Sequence, residues 1–167
     1  MAKQRQPTLD SPSFHYPRRI YFSCKKCALC CGDTEHRIRS IFLLKIEANR
    51  IAQKTFRDIL EFAGKIEGFG PYVYVMKKTD EGRCVFLKNN ACTIYQVRPL
   101  VCRYYPFELN MEHDRYVFAY SNECPAIGKG PRVKKEYFRR LFEMAWGLMR
   151  TDKENADETN QYDGQRV

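Results

Sequence analysis

Long apolar runs are missing from this 167-residue chain. The densest, at residues 41–44, is four residues long, against the ~20 needed to span a bilayer. No apolar block follows the charged start at residues 1–7, so no signal peptide is read and a cytoplasmic location is expected. The dinucleotide pattern G-x-G-x-x-G, the Walker A loop, H-E-x-x-H and G-x-S-x-G are all absent. Gly68-Phe69-Gly70-Pro71 reads as a turn rather than a phosphate cradle. Neither an acid pair nor a nucleophile–base pair stands out, so no catalytic residue is assigned and enzymatic status stays open. What is present is ordinary globular usage, 44% hydrophobic and 29% charged. That excludes wholesale disorder, a collagen-like chain and a coiled coil. The length suits one domain.

Cysteine is the departure from the ordinary. Eight residues in 167 lie below the ~8–10% of short secreted disulfide scaffolds. They are still many for a chain without a visible export signal. Thiols in the cytosol are kept reduced, so clustered cysteines there bind metal or do redox work more often than they form disulfides.

Charge is unevenly spread. The net charge is +9, and residues 151–167 hold five acids against Lys153 and Arg166. Residues 1–150 therefore carry 27 basic against 15 acidic residues, or +12. Such a surface attracts nucleic acid or an acidic protein partner, or is simply a solvated basic face.

Residues 1–19, with Pro7, Pro12 and Pro17, read as an irregular lead-in. From about Ser40 to Gly64 the apolar spacing is helical, through Leu44, Ala48, Ile51, Ala52, Phe56, Ile59 and Ala63. Thr55-Phe56-Arg57-Asp58 resembles a capping box, so two helices with a break near Lys54 are expected, ending at Gly64. Residues 72–76 favour strand. Hairpins are expected around residues 88–90 and 112–114, and a short helix over 100–104 behind Pro99. Val133, Tyr137, Leu141, Met144, Ala145 and Leu148 predict a helix over 133–150. Residues 151–167 lack apolar periodicity and are expected to form a disordered acidic tail, leaving 20–150 as the domain. The order gives a small α+β fold, with two or three helices and short antiparallel hairpins organised around the cysteines.

The cysteines fall at Cys24, Cys27, Cys30, Cys31, Cys84, Cys92, Cys102 and Cys124. Two overlapping C-x-x-C steps offer three thiolates from seven residues, as in bacterial ferredoxins, where a distant cysteine completes the site. Structural zinc sites more often pair two separate C-x-x-C knuckles, and the second half of this chain has none. Neighbouring side chains on extended backbone point opposite ways. Cys30 and Cys31 are therefore expected to serve different sites, or one bridges while the other packs. The spacings 84–92–102 are too wide for a local knuckle and need strands and a helix to gather them.

Cys24-x-x-Cys27-x-x-Cys30-Cys31-Gly32 resembles the signature of the YkgJ-type cysteine-cluster family of zinc- or iron-chelating domains. The second half agrees, through Cys84-Val85-Phe86-Leu87, Cys92-Thr93-Ile94-Tyr95-Gln96-Val97-Arg98-Pro99 and Cys102-Arg103-Tyr104-Tyr105-Pro106-Phe107. The likeness spans about residues 22–107, and the segment 44–52 fits the family's first helix. The block is also similar to that of flagellin lysine-N-methylase, where it is associated with an iron–sulfur cluster. The resemblance implies metal binding more firmly than methyl transfer. Cys124 lies beyond it and joins the ligand set from its neighbours alone.

Arg98 and Arg103 bracket Cys102, where positive charge lowers thiolate pKa and offsets cluster charge. Their place inside the motif favours a role beside the cofactor over a pair of surface arginines. Tyr95, Tyr104 and Tyr105 either shield a cluster from water or fill the core. Of His15, His36 and His113, His36 is the one near enough to the block to replace a thiolate, though a helix-start histidine is usually just exposed. The expected function is metal binding by all eight cysteines. An iron–sulfur cluster, of the 4Fe-4S type, would serve electron transfer, metal handling or a modifying enzyme. The alternative is a zinc-stabilised module whose basic surface engages nucleic acid or an acidic protein. No membrane partner is expected.

Overall fold

The computed structural model describes residues 13–163, and the side chains of residues 13–151. The first twelve residues of the lead-in and the last four of the acidic segment lie outside the described residues. Among the described residues, ten short strands and four helices form a small α+β unit. Among the described residues no helix is long and apolar enough to cross a membrane.

Two apolar cores organise the chain. The first gathers β1 (Phe14–His15), the hairpin β8 (Phe107–Glu112) and β9 (Arg115–Tyr120), and the last helix, α4 (Lys135–Asp163). Strand β1 pairs parallel to β9, and β9 antiparallel to β8, with Phe107 opposite Tyr120. Phe138 on α4 is fully buried against Phe107 and Phe118, with ring centroids 5.0 Å away in each case. Phe138, which the sequence stripe does not include, centres the inward face of α4, with Leu141 and Ala145 of that stripe buried beside it. Val133 precedes the helix, and Met144 is exposed. The helix itself continues past Arg150 to Asp163.

The second core sits under a three-stranded sheet ordered β3 (Phe42–Leu43), β5 (Tyr74–Met76), β4 (Ala63–Lys65). Here the helical reading of residues 40–64 is corrected at its two ends, which are strands, while the expected two helices are present with their break at residues 56–58. The segment runs β3, α1 (Lys45–Thr55), α2 (Ile59–Phe62), β4. Phe56 takes a left-handed backbone, φ 55°, and ends α1. The capping box lies one turn later than Thr55 suggests: Asp58 Oδ1 accepts the Leu60 N–H at 2.8 Å, and Glu61 Oε1 accepts the Asp58 N–H at 3.1 Å. Gly64, expected as a helix stop, instead pairs with Val75. Sheet pairing with β5 overrides local helical propensity at both ends of the segment.

The remaining elements are small and carry or flank the cysteines. A single 3-10 turn at Leu29–Cys31 follows Ala28, which has φ 60°. Strands β6 (Leu87–Lys88) and β7 (Ala91–Cys92) make the expected hairpin, with Leu87 opposite Cys92. Helix α3 (Leu100–Tyr104) follows Pro99 as expected. Strands β2 (Tyr21–Phe22) and β10 (Ile127–Arg132) pair antiparallel, an arrangement without an apolar alternation to announce it. Gly130 explains the closeness of that pair. Its φ is +86°, and a Cβ there would stand 2.5 Å from the Ser23 Cβ.

Candidate metal centre

All eight cysteines line one cavity of about 180 Å³. Three contacts gather them from distant segments. The first is at Gly32, which bridges to Arg83; a Cβ at position 32 would meet the Gly82 carbonyl oxygen at 2.8 Å. That close passage lets the Cys84 N–H donate to the Cys31 carbonyl at 2.7 Å. The second is the pairing of β2 with β10, Phe22 against Ile127, which brings Cys124 alongside the start of the block. The third is a buried carboxylate. Glu47 is 4% exposed, and its Oε2 accepts the Leu44 N–H at 3.0 Å while Oε1 accepts the Leu100 N–H at 2.6 Å. One side chain thus caps α1 and also anchors the start of α3, two residues before Cys102. Glu47 falls on the same face as Leu44, Ala48 and Ile51, so an acid in an apolar stripe was the available signal.

Within the cavity the thiols form two ends. Cys31, Cys84, Cys92 and Cys102 pack on the second core, around Phe62, Phe86 and Ile94. Cys30 joins them, its sulfur 3.8 Å from that of Cys31. The expectation that Cys30 and Cys31 point apart is corrected: the 3-10 turn, not extended backbone, carries them. At the other end are Cys24 and Cys27, both exposed, and Cys124, which is buried. Cys24, Cys27 and Cys30 line the same cavity, with Cys30 beside Cys31.

The electrostatics follow the same division. The hydrogen bond with Cys31 holds the Cys30 thiol below its ordinary range, helped by the Arg39 guanidinium. The same bond raises Cys31, as does burial. Burial pushes Cys102 up to about 12, and raises Cys84 and Cys92 as well. Cys124 is raised by burial and then by Cys27 and Cys24. Metal entering the inner end must displace protons from these thiols, so its affinity rises with pH.

Arg98 and Arg103 both line the cavity, held by backbone carbonyls. Arg98 lies 3.8 Å over the Tyr95 ring and donates to the Tyr95 carbonyl at 2.6 Å. Arg103 donates to the carbonyls of Arg98 at 2.9 Å and Gln96 at 2.6 Å. A third cation went unread in the sequence. Arg39, 8% exposed, donates through Nε to the Cys30 carbonyl at 2.7 Å and through Nη2 to Val101 at 3.2 Å. It precedes Arg98 in its effect on Cys30. Asp33 fixes the loop between, accepting the Arg39 N–H at 2.8 Å and both Lys78 contacts at 2.8 Å.

Tyr95 and Tyr105 border the cysteines, whereas Tyr104 belongs to the first core and donates to the Leu141 carbonyl. None of the three histidines lines the cavity. His36, weighed as a fourth ligand, has a side chain 80% exposed and stands beside Glu35. Among the described residues, no three His, Cys, Asp or Glu side chains stand in the arrangement that one ion requires. The donor set itself is soft thiol sulfur, with cations nearby to offset thiolate charge, and that chemistry fits zinc or iron–sulfur.

A small α+β scaffold converging eight cysteines on one chamber defines a cysteine-cluster metal-binding domain. Residues 23–125 match the family described as "CxxCxxCC: Putative zinc- or iron-chelating domain", and the chain belongs to it. Two curated relatives come from Methanocaldococcus jannaschii. Uncharacterized protein MJ0661 is 27% identical over 135 residues, covering 74% of this chain and 68% of that protein. Uncharacterized protein MJ0939 is 27% identical over 161 residues, covering 89% of this chain. The chain spans 54% of that second relative's length. No solved structure matches the chain.

Proposed function

We propose that the chamber holds an iron–sulfur cluster on cysteine thiolates, for electron transfer, metal handling or support of a modifying enzyme. The observation that carries this reading is the presence of all eight cysteines around one cavity. The inner group, Cys30, Cys31, Cys84, Cys92 and Cys102, supplies the main ligands, and Cys24, Cys27 and Cys124 hold metal at the mouth. Arg39, Arg98 and Arg103 offset the negative charge of a thiolate-bound cluster. Lys25 and Lys26 add positive charge at the cavity edge, which suits an acidic protein partner.

Protein purified anaerobically from iron-replete cells is expected to be brown, to contain iron and acid-labile sulfide, and to lose its visible absorption in air. Stoichiometric zinc without sulfide would overturn the cluster reading. A zinc-stabilised module, with its basic surface turned to nucleic acid or an acidic protein, would then stand in its place.

A further inference from the structure

A second cavity, of about 450 Å³, opens between β3, α3, β8 and α4. That size falls within the roughly 300–1,000 Å³ of small-molecule sites. The cavity contains no cysteine, and Tyr105 lines both it and the cysteine chamber, so that ring forms part of the wall between them. Apolar residues of both cores reach it, among them Val101, Phe107 and Met149, and Phe42 lines it as well.

Its polar feature is Arg39. The guanidinium stands 4.7 Å over the Tyr105 ring and is almost wholly buried. Two of its five N–H groups go to the carbonyls of Cys30 and Val101. Among the described residues it forms no ion pair, and Nη1 has no hydrogen-bond acceptor. The other charges on the lining cancel, because Arg37 is paired with Glu108 at 3.1 Å. Tyr72 adds a hydroxyl that burial keeps neutral, with Glu47 acting in the same direction. The cavity therefore presents one guanidinium without a carboxylate partner, with Ser40, Tyr72, Tyr105 and Asn110 as neutral polar residues beside its apolar and aromatic walls.

We propose that this cavity binds a small organic monoanion, its carboxylate on Arg39 and its flat body against the Phe42 and Tyr72 rings, which stack on each other at 5.7 Å. Guanidinium recognises carboxylate through charge-assisted N–H bonds, which strengthen when water is excluded. One guanidinium without a carboxylate partner, set among apolar and neutral polar residues, suits a singly charged carboxylate better than a doubly charged phosphate. Arg39 also backs the cysteines, through its bond to the Cys30 carbonyl and its charge beside that thiol, so metal content is measured on every sample titrated.

Calorimetric titration of the full chain as purified tests it, with benzoate, phenylacetate and 2-naphthoate as probes, each against its neutral amide. At least one acid is expected to bind, and its amide about tenfold or more weakly, since a hydrogen-bonded charge is lost. Met149→Trp, at a half-buried position on the lining, is expected to weaken acid binding about tenfold by filling the space, with metal content unchanged. Arg39→Gln is expected to abolish the preference for acid over amide. Equal affinity for acid and amide, no binding by any of the three acids at about 10 mM, or unchanged binding by Met149→Trp would overturn the proposal. If Arg39→Gln fails to fold, the amide comparison and Met149→Trp still decide it.

Discussion

Cys92→Ser protein is expected to carry much less metal than the parent and to melt far below it. Cys92 lies on a two-residue strand, and the hairpin it belongs to pairs through Leu87–Cys92 and Lys88–Ala91 alone. This segment is tied to the block at residues 24–31 by the Gly32–Arg83 bridge and the Cys84 to Cys31 backbone bond, both before the hairpin. Metal bound between them therefore adds directly to folding free energy. About 10–16 kcal/mol of apparent affinity is at stake in structural zinc peptides of this kind. Serine keeps the size of the side chain and removes the thiolate. If Cys92 merely packed, the loss would be the ~0.5–3 kcal/mol of an ordinary substitution. Cys27→Ser, at the other end of the chamber, is expected to lower metal content as well. Ala28→Gly is the control, because it keeps the left-handed backbone at φ 60° and changes no ligand. Metal analysis with thermal unfolding reads all three. Full metal and an unchanged melting point in Cys92→Ser would contradict convergence of the two cysteine sets.

The next largest effect is expected at a residue that touches no metal. Glu47→Gln keeps the volume of the side chain, but places an amide NH2 where two backbone N–H groups, of Leu44 and Leu100, need acceptors. At least one donor is left unsatisfied in a buried setting, at about 1–3 kcal/mol, and the charge-assisted character of the other bond is lost for about as much again. For a chain of this size, about 3–4 kcal/mol lowers the melting temperature by roughly 6–16 °C. Because Leu100 opens α3, which carries Cys102, metal is expected to be released more readily as well. Thermal unfolding of the metal-loaded protein, followed with metal release on the same samples, measures both. A melting point within error of the parent would show that the Glu47 bridge contributes little.

Much of the chamber was legible because its signal is chemical rather than conformational. Eight thiols at these spacings ask for a shared site whatever backbone delivers them. The hairpin at residues 107–120 and helix α3 were equally visible, since a turn at His113-Asp114 and the stop at Pro99 are local features. What escaped was set by distant contacts. Gly128, Gly130 and Pro131 erase the alternation by which β10 would announce itself, yet that strand brings Cys124 to Cys24 and Cys27. The 40–64 segment has helical spacing throughout, but its two ends find strand partners in β5. Cys30 and Cys31 were misjudged because a one-turn 3-10 helix leaves no periodicity to read. Arg39 stands outside every motif of the sequence, and only the folded chain shows its side chain buried behind the cysteines.

X-ray absorption at the metal edge of anaerobically purified protein addresses the central claim most directly, since it reports the atoms around the metal. The thiolate chamber predicts a first shell of sulfur alone, with a second shell from neighbouring iron marking the cluster. A first shell dominated by nitrogen or oxygen would contradict it, because no histidine and no carboxylate borders the cysteine cavity.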